Sequence, residues 1–164
     1  MDLSRYSLQD LVVTALKSEW ESREVYTQAA EMVENALLKD RLRFLAQEED
    51  KHRLFFEKLY RKLFVGQELH LPEKSPVPLP EIAFQESSVR LSTLFTSAMT
   101  AEKAAEEFYH AMAKLFTAGS EEQKTLDYFA SMEKGHYRLL EVERDEAERA
   151  EDYEIEWPMI HVGP

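Results

Sequence analysis

Residues 44–56 (FLAQEEDKHRLFF) and 128–140 (YFASMEKGHYRLL) match at a shift of 84, and their reading decides the fold. Within each, apolar residues recur at three- and four-residue spacing, which places them on one face of a helix. Each carries a Glu-x-x-His on that face, Glu49 with His52 and Glu133 with His136. A second pair of matching stretches lies upstream, residues 15–26 (ALKSEWESREVY) and 98–109 (AMTAEKAAEEFY), at a shift of 83. Here the shared residues include Glu19/Glu102 and Tyr26/Tyr109. The chain therefore reads as two copies of a helical hairpin.

Punctuation residues agree with this layout. Four of the six prolines (Pro72, Pro76, Pro78, Pro80) fall in one short stretch, and the other two (Pro158, Pro164) lie in the tail. Everything else can be helix. The predicted helices cover about 8–35, 37–64, 88–117 and 121–150, with capping-box patterns at Ser7-Leu8-Gln9-Asp10 and Ser120-Glu121-Glu122-Gln123 and stops at Gly66 and Gly119. The connection 67–87 spans more than about 40 Å at roughly 3.1 Å per residue, enough to return along a helix of similar length. The expected fold is an all-α four-helix bundle within a single domain over 1–164, its two helical hairpins joined by the Pro-rich crossover.

Composition restricts the chemistry. The 164 residues carry a formal net charge of −12 and no cysteine, which excludes disulfides, thiolate zinc sites, iron–sulfur clusters and cysteine nucleophiles. An isoelectric point near 4.9 argues against a nucleic-acid partner. No apolar run is long enough to span a membrane, and the first residues do not resemble a signal peptide, so the expected compartment is the cytoplasm.

Laying an a/d pattern on each helix gives the deciding constellation. The first stripe reads Val12, Ala15, Glu19, Ser22, Tyr26, Ala29, Val33, and the second Leu42, Leu45, Glu49, His52, Phe56, Leu59, Leu63. The third reads Phe95, Ala98, Glu102, Ala105, Tyr109, Met112, Phe116, and the fourth Leu126, Phe129, Glu133, His136, Leu140. Each inward stripe has one glutamate near its middle, and no Lys or Arg lies on any of them. Four carboxylates buried without positive partners are prohibitive, since each isolated ion costs several kcal/mol in low dielectric. Two divalent cations balance four carboxylates, and two neutral imidazoles complete the ligand set. Hard oxygen with some nitrogen suits iron or manganese, with zinc as a further option. A third Glu-x-x-His, at Glu107 and His110, fails the stripe test and reads as solvent-facing.

With these residues in place, the chain resembles the ferritin-like di-iron carboxylate superfamily, and within it rubrerythrin-type domains, across roughly residues 5–150. The resemblance implies that Glu19 and Glu102 are single ligands and that Glu49–His52 and Glu133–His136 are paired ones, holding two iron ions. It implies an oxidoreductase that reduces hydrogen peroxide or dioxygen, with iron oxidation and storage as an alternative. A metal-free interaction bundle is the third reading. Rubrerythrins usually carry a further Glu three residues after the third-helix ligand, and Ala105 stands there. Without cysteine there is no rubredoxin module, so electrons are expected from an external rubredoxin-like protein or reductase. A homodimer or larger homo-oligomer is expected.

Other residues keep two readings each. Tyr26 and Tyr109 either hydrogen-bond a ligand carboxylate on a neighbouring helix or simply pack in the core. Gly135 either lets a neighbour approach closely or is merely tolerated. Trp20, Phe55 and Phe108 read as packing or subunit contacts, and the acidic run 141–151 as a solvated face. The apolar tail 152–164 is expected to dock on the bundle or a second subunit, with His161 a remote ligand candidate.

Overall fold

The computed structural model describes residues 1–84 and 90–156, with side chains up to Asp152. Four helices make up the described chain: α1 (Leu8–Met32), α2 (Ala36–Leu63), α3 (Leu91–Ala113) and α4 (Glu121–Glu156), with no strand among the described residues. The molecule is an all-α four-helix bundle.

Local chemistry sets most of the helix ends. Ser7 and Asp10 form a reciprocal capping box at the start of α1. Asn35, expected inside the first helix, is instead the N-cap of α2, its side chain accepting from Leu38 N at 3.1 Å. This moves the end of α1 back to Met32, because an Asn side chain satisfies an orphan N–H better at a helix start than in an interior. Gly66 and Gly119 both adopt positive φ, at 80° and 81°, where other residues are strained, and they turn the chain after α2 and before α4. At Ser120 only half of the expected capping box forms. Its hydroxyl accepts from Gln123 N, while the Gln123 side chain accepts from Gly119 N.

The third helix ends at Ala113, short of the expected Thr117, in a tight turn where Leu115 N and Phe116 N bond back three residues. Its start is Leu91, with Arg90 as N-cap. The fourth helix runs six residues beyond the expected 150, so part of the predicted tail is helical. Residues 157–164, with His161, lie outside the described residues.

Helices pack in two close pairs, α1 with α2 and α3 with α4. The buried apolar residues form two clusters. One joins the start of α1 (Leu11, Val12, Leu16), the end of α2 (Phe56, Leu59), the end of α3 (Phe108, Met112) and the start of α4 (Leu126, Phe129). The other joins the end of α1 (Tyr26, Ala29), the start of α2 (Leu42, Leu45), the start of α3 (Leu94, Phe95) and the middle of α4 (Leu140). Each hairpin is thus antiparallel, and α1 and α3 run in opposite directions. Their arrangement requires the chain to travel the bundle's length between α2 and α3. The crossover does so, with Leu69, Val77 and Leu79 on the first cluster and Ile82 and Phe84 on the second. It is fastened by Val77 N donating to the fully buried Thr14 hydroxyl and by Ala83 N donating to Ser97 Oγ at 2.7 Å.

Candidate metal centre

Between the two apolar clusters lies a polar layer, where Glu19, Glu49, His52, Glu102, Glu133 and His136 are all buried. The helical stripe brings each of them inward, and the antiparallel hairpins bring the four stripes to one height. All six residues that the sequence pattern singles out are brought together. Glu107 and His110 are exposed, with His110 Nδ1 3.2 Å from Asp127.

The six side chains divide into two overlapping groups. Glu19, Glu49, His52 and Glu133 offer ligand atoms within 4.8 Å of one another, and so do Glu49, Glu102, Glu133 and His136. Glu49 and Glu133 belong to both. Their oxygens are shared out one to each side: Glu49 Oε2 lies 3.5 Å from His52 Nδ1 and Oε1 3.0 Å from His136 Nδ1. Glu133 places Oε1 2.9 Å from His52 Nδ1 and Oε2 3.0 Å from His136 Nδ1. Glu19 and Glu102 each serve one side, Oε2 of Glu19 lying 3.5 Å from His52 and Oε2 of Glu102 3.6 Å from His136.

The remaining oxygens of these single glutamates are held from across the bundle. Tyr109 on α3 donates its hydroxyl to Glu19 Oε1 on α1, and Tyr26 on α1 donates to Glu102 Oε1 on α3. Of the two readings open for the tyrosines, the carboxylate bond is the one realised. The bonds orient Glu19 and Glu102 so that one oxygen is tied to protein and the other faces the centre.

Electrostatics identify what this layer lacks. Burial first, and then the Glu49 charge, raise the carboxyls of Glu19 and Glu102 well above the usual range, which favours their protonated forms. Burial opposes charge on Glu49 and Glu133 as well, but the neighbouring groups, the two imidazoles among them, outweigh it and keep both carboxyls low. Burial would also neutralise the imidazoles. The surrounding carboxylates reverse that, and His52 and His136 are pushed up strongly. The layer thus reaches neutrality by collecting protons.

Protons do not complete it. Glu49 Oε1, Glu133 Oε1 and both ring nitrogens of His52 are buried without a hydrogen bond. Glu133 Oε1 sits 2.9 Å from His52 Nδ1 and still makes no hydrogen bond with it. Orphaned buried polar atoms are rare and costly, at about 1–3 kcal/mol each. Oxygen-rich groups with one imidazole apiece, converging on two points, are what a pair of divalent cations requires. The residues present fit such a pair.

The surroundings of the layer decide one open reading and correct one expectation. Gly135 is exposed, and a Cβ there would meet nothing within 4 Å, so no close neighbour accounts for it. Glu143, in the acidic run, is buried and paired with Arg41 on α2 instead of solvated. Sequence reasoning passed over Glu48, which is buried on α2 next to Glu49 and paired with Lys51. The i,i+3 spacing of that pair was a readable signal. Phe108 is fully buried and Phe55 packs on the same core, whereas Trp20 is 44% exposed.

No helix among the described residues is long and apolar enough to cross a membrane. No curated protein matches the chain. Among solved structures, a hypothetical protein from Pyrococcus furiosus is similar at 33% identity, with a TM-score of 0.79, over 90% of this chain and 94% of that one. The Rubrerythrin family profile matches residues 10–143, the span that contains all four glutamates, both histidines and both tyrosines of the layer, and the chain belongs to the rubrerythrin family.

Proposed function

We propose that this protein is a non-haem di-iron oxidoreductase that reduces hydrogen peroxide or dioxygen, with manganese or zinc as the alternative metals. One observation carries the reading: Glu49 and Glu133 each present one oxygen to either side of a layer that leaves buried ligand atoms unpaired. That is the arrangement two adjacent cations demand.

Glu49 and Glu133 would hold both ions, Glu19 with His52 one of them, and Glu102 with His136 the other. Bound there, two iron ions would supply the electron pair that breaks the O–O bond of hydrogen peroxide, which with two protons leaves as two waters. The chain's own part is to hold these groups ready. Rigid helices fix the glutamate backbones while the carboxylates keep the freedom to re-aim as the charge they face changes. Tyr26 and Tyr109 anchor the two single glutamates. Phe129, 4.0 Å from the His52 ring, with Phe55 and Phe56 behind it, keeps water from that side.

Four carboxylates with two imidazoles favour iron by donor chemistry, and the reading includes re-reduction by a rubredoxin-like protein or a reductase, since these 164 residues hold no cysteine for an iron–sulfur centre of their own. Stopped-flow oxidation of the ferrous-loaded protein tests the reading. Two ferrous ions oxidised per hydrogen peroxide is the expected result, in a homodimer or larger homo-oligomer. If neither peroxide nor dioxygen oxidises the bound iron, the proposal fails. Iron accumulating far beyond two ions per chain within a large shell would replace it with storage.

A further inference from the structure

The two sides of the metal layer repeat in sequence but differ in their cover. His52 has no exposed surface, and four aromatic rings lie on or near it. Phe129 is 4.0 Å and Tyr109 6.5 Å from its ring, and Phe55 and Phe56 pack on Phe129 at 5.1 and 6.1 Å. His136 is 4% exposed, and among the described residues its one aromatic neighbour beyond the site is Phe44, edge-on at 6.5 Å. Phe44 is itself 48% exposed.

The internal repeat makes the contrast specific. The counterpart of Phe44 is Tyr128, whose ring contacts Phe129 at 6.4 Å and so lies one layer further from a histidine. The counterpart of Gly135 is Lys51, whose side chain pairs with the buried Glu48. At 135 there is no side chain and open space for one. Gly135 lies seven residues from Val142, and Phe44 seven from Leu37, so each pair shares one helix stripe. Leu37 and Val142 both line a surface hollow of about 540 Å³ between α2 and α4. Phe44 and Gly135 therefore continue that seam to His136, whereas the crossover covers α1 and α3 through Thr14 and Ser97.

We propose that the α2/α4 seam at Phe44 and Gly135 is the port through which metal ions and small oxidants exchange with the Glu102–His136 side of the centre, the Glu19–His52 side being closed. Phe44 acts as a half-open cover over a ligand ring, and Gly135 keeps the space beside it clear. This rests on the metal-binding reading above. It adds that two sites built from repeated ligands exchange with solvent at unequal rates.

The test follows Mn²⁺ leaving the loaded, full-length protein after mixing with excess EDTA, by the electron paramagnetic resonance of the bound ion. Wild type should release its two ions in a fast and a slow phase, with Glu102→Gln removing the fast phase and Glu19→Gln the slow one. Phe44→Ala should speed the fast phase by about tenfold, acting on the dissociation rate. Gly135→Leu, which has room for its side chain and a better helix former in place of glycine, should slow that phase severalfold. Tyr128→Ala should change neither. Equal effects of Phe44→Ala and Tyr128→Ala, or a Gly135→Leu protein with the wild-type fast phase, overturn the port. Release in a single phase overturns the inequality of the two sides while leaving the metal reading standing. A protein that takes up no Mn²⁺ or Fe²⁺ overturns that reading, and this inference with it.

Discussion

Replacing Glu49 by Gln should empty both metal positions, whereas replacing Glu19 by Gln should empty one. Both changes preserve volume and replace one carboxylate oxygen by an amide nitrogen, so toward the metal positions they differ in where the oxygens point. Glu49 places one oxygen 3.0 Å from His136 Nδ1 and the other 3.5 Å from His52 Nδ1. Glu19 faces His52 alone, its second oxygen being taken by Tyr109. Two unit charges about 4 Å apart interact by roughly 4 kcal/mol at an effective dielectric of 20, and a divalent partner doubles that to about 8. If relief of carboxylate desolvation offsets half, about 4 kcal/mol remains, close to a thousandfold in affinity. Glu49→Gln should lose that much at both positions and Glu19→Gln at one.

Equilibrium dialysis against Mn²⁺, or against Fe²⁺ without oxygen, reads this as ions per chain: two for wild type, one for Glu19→Gln and close to none for Glu49→Gln. The metal-free proteins provide a second readout. Glu49 is ionised between two protonated imidazoles, and removing one partner of a buried pair costs about 3–5 kcal/mol. Glu19 already favours its protonated form, so an amide replaces it with little change. In EDTA, Glu49→Gln should melt well below wild type and Glu19→Gln close to it. One tight ion retained by Glu49→Gln, or both lost from Glu19→Gln, would refute the assignment of shared and single carboxylates.

The tyrosines should act across the bundle: Tyr109→Phe weakens the ion beside Glu19 and Tyr26→Phe the one beside Glu102, each by about 10–100-fold, visible in a metal titration as one altered site with the total unchanged. Metal uptake should release protons, because the raised groups Glu19, Glu102, His52 and His136 must give them up, in the limit about two per divalent cation. Affinity should accordingly rise with pH and fall on acidification, and a pH-indicator dye in weak buffer measures the release directly. Phe56 is fully buried among Phe55, Tyr109 and Phe129, and Phe56→Ala should cost about 3–5 kcal/mol through the cavity it leaves, lowering the melting temperature by roughly 10 °C. Thr14→Val should free the crossover, since Val77 N and Ser75 Oγ lose their acceptor, and limited proteolysis in the segment 67–84 should quicken.

Local chemistry explains which helix ends were readable. Ser7 with Asp10, Gly66 and Gly119 act through their own side chain or backbone, so their neighbourhood suffices. Asn35 fits the end of one helix or the start of the next equally well, and only the formed turn assigns its oxygen to Leu38 N. Glu143 reads as one more acid in a charged run until α2 brings Arg41 to it.

By itself the sequence determined that the inward stripe of each of four helices carries one glutamate, that two add a histidine a turn further, and that nothing basic on those stripes could balance them. Periodicity suffices for this, because a helix's geometry fixes which residues share a face. Only the tertiary structure decided which carboxylates are shared between the two sides, that each tyrosine serves the glutamate of the opposite hairpin, and that one side is sealed by aromatic rings while the other lies under a half-exposed one. Those relations join residues on different helices, and they depend on how far the hairpins turn and slide against each other, a quantity no spacing along one chain encodes.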